Sequence, residues 1–139
     1  MASTLPRSSS ATVLMIDDNA EDLESWSKLL AESPSQYSLL KAQTVKAGLD
    51  VSLYQKVDCV VLDLDMDDSS GFEVLLNLIP DRQRPEIAVV VLTRLTNPTL
   101  HETVLYHGAQ ACLVKRFTSA RDLNDAVQTA IVSVASNST

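Results

Sequence analysis

The chain alternates between short runs of apolar residues and longer segments whose apolar residues recur every three or four positions. The short runs are nearly continuous and predict strands buried on both faces, whereas the spaced pattern predicts helices with one apolar stripe. Asn97 and Pro98 are typical of a helix start, and Gly108 is typical of a helix end. The predicted strands are 12–17, 37–43, 57–63, 86–93 and 109–115, and the predicted helices are 21–33, 44–56, 71–80, 97–108 and 119–134.

Five strand–helix pairs joined by short links predict an α/β fold, with a parallel sheet and helices on both of its faces. For a chain of this size we expect the flavodoxin-like (βα)5 doubly wound sheet with strand order 2-1-3-4-5, although periodicity alone leaves the order open. We expect one domain over residues 11–134, between an N-terminal tail at 1–10 and a C-terminal tail at 135–139.

The composition narrows the class of protein. With 139 residues, 45% of them hydrophobic, the chain can bury the core of one globular domain, and its net charge of −7 disfavours direct binding to nucleic acid or to an anionic membrane. No apolar run reaches the ~18 residues of a membrane span, and the first residues lack the apolar segment of a secretory signal. A cytoplasmic location is therefore expected. Cys59 and Cys112 lie inside apolar runs and are interpreted as buried hydrophobic residues.

Polar residues that suit phosphate chemistry stand at the ends of four predicted strands. Asp17 and Asp18 end the first strand and Asp63 ends the third, while Thr93 and Lys115 end the fourth and fifth. In open parallel sheets, sites form at the carboxyl ends of the strands, where the strand order reverses. Crowded carboxylates there would favour Mg²⁺, and a hydroxyl and an ammonium group would contact a phosphoryl group. Each residue alone also suits an ordinary role as a helix cap, strand residue or surface charge, but all five at one edge indicate a site.

At these positions the sequence resembles the receiver domain of two-component response regulators, over roughly residues 11–134. The motifs that carry the resemblance are VLMIDDN, VVLDLDMDDSSGFEVL, VVVLT and CLVKRF. Thr93 lies thirty residues after Asp63, Lys115 lies twenty-two after Thr93, and Gly71 stands eight residues after Asp63. These spacings match the family.

The resemblance implies a role for each acidic residue. Asp63 would be the phosphoacceptor. Asp18 and Asp63 would bind Mg²⁺ directly with the backbone carbonyl of Asp65, and Asp17 would act through metal-bound water. The family is not a class of turnover enzymes, because the domain catalyses only its own phosphotransfer and dephosphorylation.

The resemblance also implies partners and an output. Lys115 would pair with the acceptor carboxylate or its phosphate, and Thr93 would turn toward the phosphoryl group. The phosphoryl group would come from a histidine kinase or a histidine phosphotransfer protein. The downstream target stays open, as do a homodimer and the question of whether this is a stand-alone receiver or a piece of a larger regulator. The output face would be helix 4, strand 5 and helix 5, carrying Tyr106, His107, Arg116, Phe117 and Arg121.

Four positions depart from the family pattern. Arg116 replaces the usual proline after the lysine, often cis in the family, so the loop is expected to be trans and Lys115 to be presented differently. Asp67 replaces a frequent proline and, with Asp68, makes the acceptor loop unusually acidic. Cys112 replaces a switching aromatic, and Arg94 replaces a small residue next to Thr93, where it could screen the phosphoryl group.

Two other readings stay open. A haloacid-dehalogenase-type phosphatase shares the Asp-x-Asp motif of Asp63 and Asp65, but there the motif stands on the first strand, and here it follows the third. The downstream acids Asp122 and Asp125 also fall on a helix, and the chain has no room for a cap domain. A receiver-shaped interaction module that is not phosphorylated is the second alternative.

Overall fold

The computed structural model describes residues 10–66 and 71–137 of the chain. Asp67 and Asp68, and the predicted tails apart from Ser10 and residues 135–137, lie outside the described residues. The strands are β1 (Ala11–Ile16), β2 (Tyr37–Ala42), β3 (Cys59–Leu62), β4 (Ala88–Thr93) and β5 (Ala111–Val114). The helices are α1 (Ala20–Ala31), α2 (Val45–Tyr54), α3 (Gly71–Leu78), α4 (Pro98–Tyr106) and α5 (Ala120–Asn137), with a 3-10 turn at Lys115–Phe117.

The sheet is parallel and has the order β2-β1-β3-β4-β5, so the predicted flavodoxin-like arrangement is confirmed. Its register places Ile16 of β1 beside Leu62 of β3, and Thr93 of β4 beside Val114 of β5. The chain reverses its direction of winding between β1 and β3, because β2 lies on one side of β1 and all later strands lie on the other. The residues that leave β1 and β3 therefore meet at the switch point.

Each face of the sheet has its own apolar core. On one face Leu14, Val60 and Val89 pack with residues of α2, α3 and α4. On the other, Val13 and Val61 pack with residues of α1 and α5. Because both faces are covered, every residue of β3 and β4 is buried, which accounts for the continuous apolar runs in the sequence.

Helices α1 and α4 both begin at asparagine caps. The cap at Asn97 is the predicted one, whereas α1 begins at Ala20, one residue before its predicted start. The Asn19 side chain accepts a hydrogen bond from Asp22 N–H at 2.9 Å, and the Asn97 side chain accepts one from Thr99 N–H at 2.8 Å. Gly108 follows α4 with φ at 109°, a conformation that glycine adopts without strain. These caps fix where α1 and α4 begin relative to the carboxyl edge of the sheet.

Several elements differ in length from the prediction. Strand β3 starts at Cys59, two residues after its predicted start, because the Asp58 side chain accepts a hydrogen bond from Thr12 N–H at 2.8 Å. Strand β5 starts at Ala111, also two residues after its predicted start, because the Gln110 side chain accepts a hydrogen bond from Val89 N–H at 2.7 Å. Helix α5 runs to Asn137, three residues beyond its predicted end.

The two cysteines are free thiols, and strand β4 separates their strands. Cys59 is buried, as interpreted from the sequence, whereas Cys112 is only partly buried. Burial raises the pKa of the Cys59 thiol to about 12 and that of Cys112 to about 11, so both stay protonated at neutral pH. Within the part of the chain that is described, none of the helices combines the length and the apolar character that a bilayer crossing requires.

Candidate functional site

The carboxyl edge of the sheet brings together three of the predicted site residues. Asp17 follows β1, Asp63 follows β3 and Lys115 follows β5. Asp63 N–H donates to the Ile16 carbonyl at 3.0 Å, so the first residue after β3 is still anchored to β1. All three side chains are at least nine-tenths buried, with Asp63 5% exposed, Asp17 7% and Lys115 9%.

Lys115 is the centre of this cluster. Its ammonium nitrogen donates hydrogen bonds to Oδ2 of Asp17 at 2.7 Å, to Oδ2 of Asp22 at 2.8 Å and to Oδ2 of Asp63 at 2.9 Å. A lysine ammonium carries three protons, so all three donors are used. No cis peptide bond occurs in the described residues. The Lys115–Arg116 bond is therefore trans, and the lysine still reaches Asp63.

Backbone donors hold the other oxygens of the two buried acids. Asp17 Oδ1 accepts from Asn19 N–H at 2.9 Å, and Asp63 Oδ1 accepts from Asp65 N–H at 3.0 Å. The loop after β3 also packs closely against the start of α3, because a Cβ on Gly71 would come within 2.6 Å of Leu64 Cα. Only a glycine lets α3 start this close to the loop, so the orientation of Asp63 depends on the backbone as well as on Lys115.

Burial and ion pairing shift two pKa values in this cluster. Burial raises the pKa of Asp17 above its ordinary value, and the hydrogen bonds from Lys115 and Asn19 offset this only in part. Burial lowers the pKa of Lys115, but the hydrogen bonds to the three aspartates outweigh it, and the net pKa is raised. Lys115 therefore stays charged at physiological pH.

We expect Asp17→Asn to raise the free energy of unfolding at neutral pH by about 1 kcal/mol, since Lys115 keeps two carboxylate partners and one buried charge is removed. An acid whose pKa is raised on folding gains stability as the pH falls through the raised value. The difference in the free energy of unfolding between variant and wild type should therefore become smaller at mildly acid pH. Urea denaturation at both pH values checks this, and a variant less stable than wild type at neutral pH would contradict it.

Asp22 belongs to the cluster but was not predicted as a site residue, and neither was its ion pair with Arg94. Asp22 lies in the first turn of α1, and its Oδ2 accepts hydrogen bonds from both Lys115 and Arg94, each at 2.8 Å. Helix α1 begins at the carboxyl edge of the sheet, so an acid in its first turn can face the site. The feature of the sequence that could have indicated this contact is Arg94, a large cation directly after Thr93 that would need an acidic partner.

The remaining predicted residues surround this centre. Asp18 is half-buried beside Asp17, and Asp65 is exposed. Thr93 is fully buried at the end of β4, and its Oγ1 accepts a hydrogen bond from Leu95 N–H at 3.3 Å. Its hydroxyl is therefore engaged with the loop after β4.

The donor chemistry of the pocket is compatible with a hard cation. Over residues 10–66 and 71–137, no three Asp, Glu, His or Cys side chains are arranged as a metal cage. The expected Mg²⁺ site needs only two carboxylates, because a backbone carbonyl and water supply the other ligands. Each Asp63 oxygen accepts one hydrogen bond, and a carboxylate offers about four lone-pair sites. Asp63 therefore keeps free lone pairs.

The five residues of the expected output face fall into two groups. Tyr106 and His107 close α4 and precede β5, whereas Arg116 and Phe117 follow β5 and Arg121 starts α5. The groups therefore lie at opposite ends of β5. Tyr106 and His107 are in edge-to-face contact at 5.2 Å between ring centroids, and Arg116 lies over the Phe117 ring at 4.7 Å.

The chain is similar in sequence to several known proteins. A "Probable cyclic di-GMP phosphodiesterase" of Vibrio cholerae is 30% identical over 65% of this chain, but the match covers only 20% of that protein's length. The "Two-component response regulator ORR3" of Oryza sativa subsp. indica is 31% identical, over 74% of this chain and 78% of its own.

Solved structures share the fold. The response regulator receiver domain protein of Clostridium thermocellum has a TM-score of 0.77 and 27% identity, over 88% of this chain and 95% of that one. The signal receiver domain of an HD domain-containing protein from Pseudomonas fluorescens Pf-5 has a TM-score of 0.80 and 21% identity, over 92% of this chain and 99% of that one. The family model for the response regulator receiver domain matches residues 13–128. The chain therefore belongs to the response regulator receiver domain family of two-component signalling.

Proposed function

We propose that the chain is a phosphoacceptor in a two-component relay and that Asp63 is the residue that becomes phosphorylated. The hydrogen bond of 2.9 Å from Lys115 Nζ to Asp63 Oδ2, at the buried end of β3, is the observation that supports this most directly. A lone pair of an Asp63 carboxylate oxygen would attack the phosphorus of a phosphohistidine. The P–N bond would break, and the imidazole would leave with the bonding electrons.

The neighbouring residues would position the phosphoryl group. Asp18, Asp63 and the Asp65 backbone carbonyl would hold Mg²⁺, with Asp17 acting through water, and the ion would neutralise charge on the phosphoryl oxygens. Lys115 would donate to one of those oxygens. Thr93 would exchange its hydrogen bond with Leu95 N–H for one to the phosphoryl group.

The phosphodonor would be a histidine kinase or a histidine phosphotransfer protein, which would place the chain in the cytoplasm. A positive result needs no cognate partner, because receivers sometimes accept small acyl phosphates. Incubation with Mg²⁺ and acetyl phosphate should give a mass increase of one phosphoryl group that hydroxylamine removes. No increase with acetyl phosphate or with a cognate phosphodonor would contradict the proposal.

Two alternatives would give different results. A phosphatase of the haloacid-dehalogenase type would release phosphate continuously from a general substrate such as p-nitrophenyl phosphate. A receiver-shaped interaction module without phosphorylation would show neither turnover nor labelling. The full use of the Lys115 donors in the unmodified protein is the observation that favours this second alternative.

We expect phosphorylation to alter the face formed by α4, β5 and α5. The 3-10 turn that starts at Lys115 also contains Arg116 and Phe117, and Phe117 is 71% exposed. A movement of Lys115 would therefore also move these two residues. Amide chemical shifts recorded with and without beryllofluoride and Mg²⁺ should change most at these two residues. Tyr106 and His107, at the far end of β5, should change less, and unchanged shifts over the whole face would rule out this output.

A further inference from the structure

Asp22 and Arg94 extend the ion-pair cluster beyond the residues used in the proposed phosphorylation. A single oxygen, Asp22 Oδ2, accepts one hydrogen bond from Lys115 and another from Arg94, both at 2.8 Å. The three residues come from α1, the loop after β4 and the turn after β5, so this oxygen joins three separate segments. Together with Trp26 and Arg116 they line a cleft of about 380 Å³.

Lys115 cannot donate to a phosphoryl oxygen without giving up one of its present partners. All three of its protons are used on Asp17, Asp22 and Asp63. The three partners differ in exposure, because the Asp22 side chain is 21% exposed whereas those of Asp17 and Asp63 are 9% and 6% exposed. A carboxylate that is nearer to solvent recovers more hydration when its partner leaves. Phosphorylation turns the Asp63 carboxylate into a neutral acyl group, so Asp17 and Asp22 are the partners that stay charged, and Asp22 is the less costly of the two to release.

Arg94 determines how strongly Asp22 holds the lysine. Its guanidinium donates a hydrogen bond to the same Asp22 oxygen and partly neutralises its negative charge. The electrostatic attraction between Asp22 and Lys115 is therefore weaker than it would be without Arg94. After Lys115 leaves, Arg94 still pairs with Asp22 and lowers the cost of the exchange. Its side chain is 61% exposed, so it can follow Asp22 without repacking of the core.

We propose that Asp22 is a positioning residue that competes with the phosphoryl group for Lys115, and that Arg94 weakens this competition through its ion pair with Asp22. This inference rests on the proposed phosphorylation of Asp63. In the unmodified state Asp22 holds the third proton of the lysine. On phosphorylation Lys115 exchanges Asp22 for a phosphoryl oxygen, and Asp22 remains paired with Arg94. The Asp22–Arg94 pair thus sets how readily the site accepts a phosphoryl group.

The test measures the dissociation constant of beryllofluoride at saturating Mg²⁺, with Trp26, the single tryptophan, as fluorescent reporter on the cleft wall. Asp22→Asn should bind roughly fivefold more tightly, since a neutral amide competes less for Lys115. Arg94→Gln should bind several-fold more weakly. The double variant should match Asp22→Asn, because Arg94 acts through Asp22. A purely structural role for Asp22 predicts weaker binding instead.

Glu21→Gln is the matched control, because it removes the same charge from the same helical turn and Glu21 forms no ion pair with Lys115 or Arg94. It should leave the dissociation constant within a factor of two. An Asp22→Asn variant that binds no more tightly than Glu21→Gln overturns the inference, as does an Arg94→Gln effect of equal size in both backgrounds. If the wild type itself neither binds beryllofluoride nor becomes labelled, the proposed phosphorylation fails instead.

Discussion

Asp63→Asn is expected to abolish the hydroxylamine-labile phosphoryl label that acetyl phosphate and Mg²⁺ introduce. An amide lacks the nucleophilic carboxylate oxygen that would attack phosphorus, so the loss should be complete rather than partial. The change keeps the shape of a side chain that is 5% exposed, and an amide oxygen can still accept from Lys115. Intact-mass measurement before and after hydroxylamine gives the result directly.

Asp65→Asn is the matched control for this prediction. It makes the same chemical change two residues later, on an exposed side chain, and it leaves the backbone in place. The Asp65 N–H donates a hydrogen bond to Asp63 Oδ1, and only the backbone carbonyl of Asp65 is proposed as a ligand. This variant should therefore still be labelled. Labelling that survives in Asp63→Asn, or that is lost equally in both variants, would assign the phosphate to a different residue.

Lys115→Met is expected to lower the free energy of unfolding at neutral pH by about 3 kcal/mol. Methionine approximates the shape of the lysine stem, but the carboxylates of Asp17 and Asp63 would be left buried without their cation. Lys115 has a pKa raised above its ordinary value of 10.5, so the stabilisation it provides is fully present below that pH in the wild type. The effect of the substitution should therefore be large over the whole neutral range.

The loss of unfolding free energy in Lys115→Met should be smaller at mildly acid pH than at neutral pH. Without the ammonium group, burial and repulsion from Asp63 raise the pKa of Asp17 further, and protonation of Asp17 on lowering the pH then stabilises the folded state. Added Mg²⁺ should also restore part of the stability if the proposed ion binds. Urea denaturation with and without Mg²⁺ measures both effects. A deficit that stays the same at mildly acid pH would contradict the electrostatic explanation.

Lys41→Met provides the comparison for a lysine outside the site. Lys41 pairs with Glu24 at 3.0 Å, but the two side chains are 45% and 72% exposed. Water screens such a pair, so its loss should change the free energy of unfolding by no more than about 0.5 kcal/mol. A Lys41→Met effect as large as that of Lys115→Met would mean that loss of positive charge, and not the buried cluster, destabilises the protein.

Much of the site could be predicted because its residues are tied to local patterns. The apolar runs that end at Asp17 and Asp63 are the buried strands themselves, and parallel strands bring their carboxyl ends to one edge. The position of Lys115 after β5 follows in the same way. The strand bounds were less accurate, because side chains such as those of Asp58 and Gln110 take backbone hydrogen bonds at the ends of the ladders.

By itself the sequence determined the alternation of strands and helices, the fold class and the residues at the strand ends, since helix and strand periods are local properties. Only the tertiary structure decided that Asp22 would share Lys115 with Asp17 and Asp63 and would also bind Arg94. That contact depends on how α1 packs across the edge of the sheet and on the path of the loop after β4. The pattern of apolar residues is local and does not determine the distance between Asp22 and Arg94, which are some seventy residues apart in the sequence.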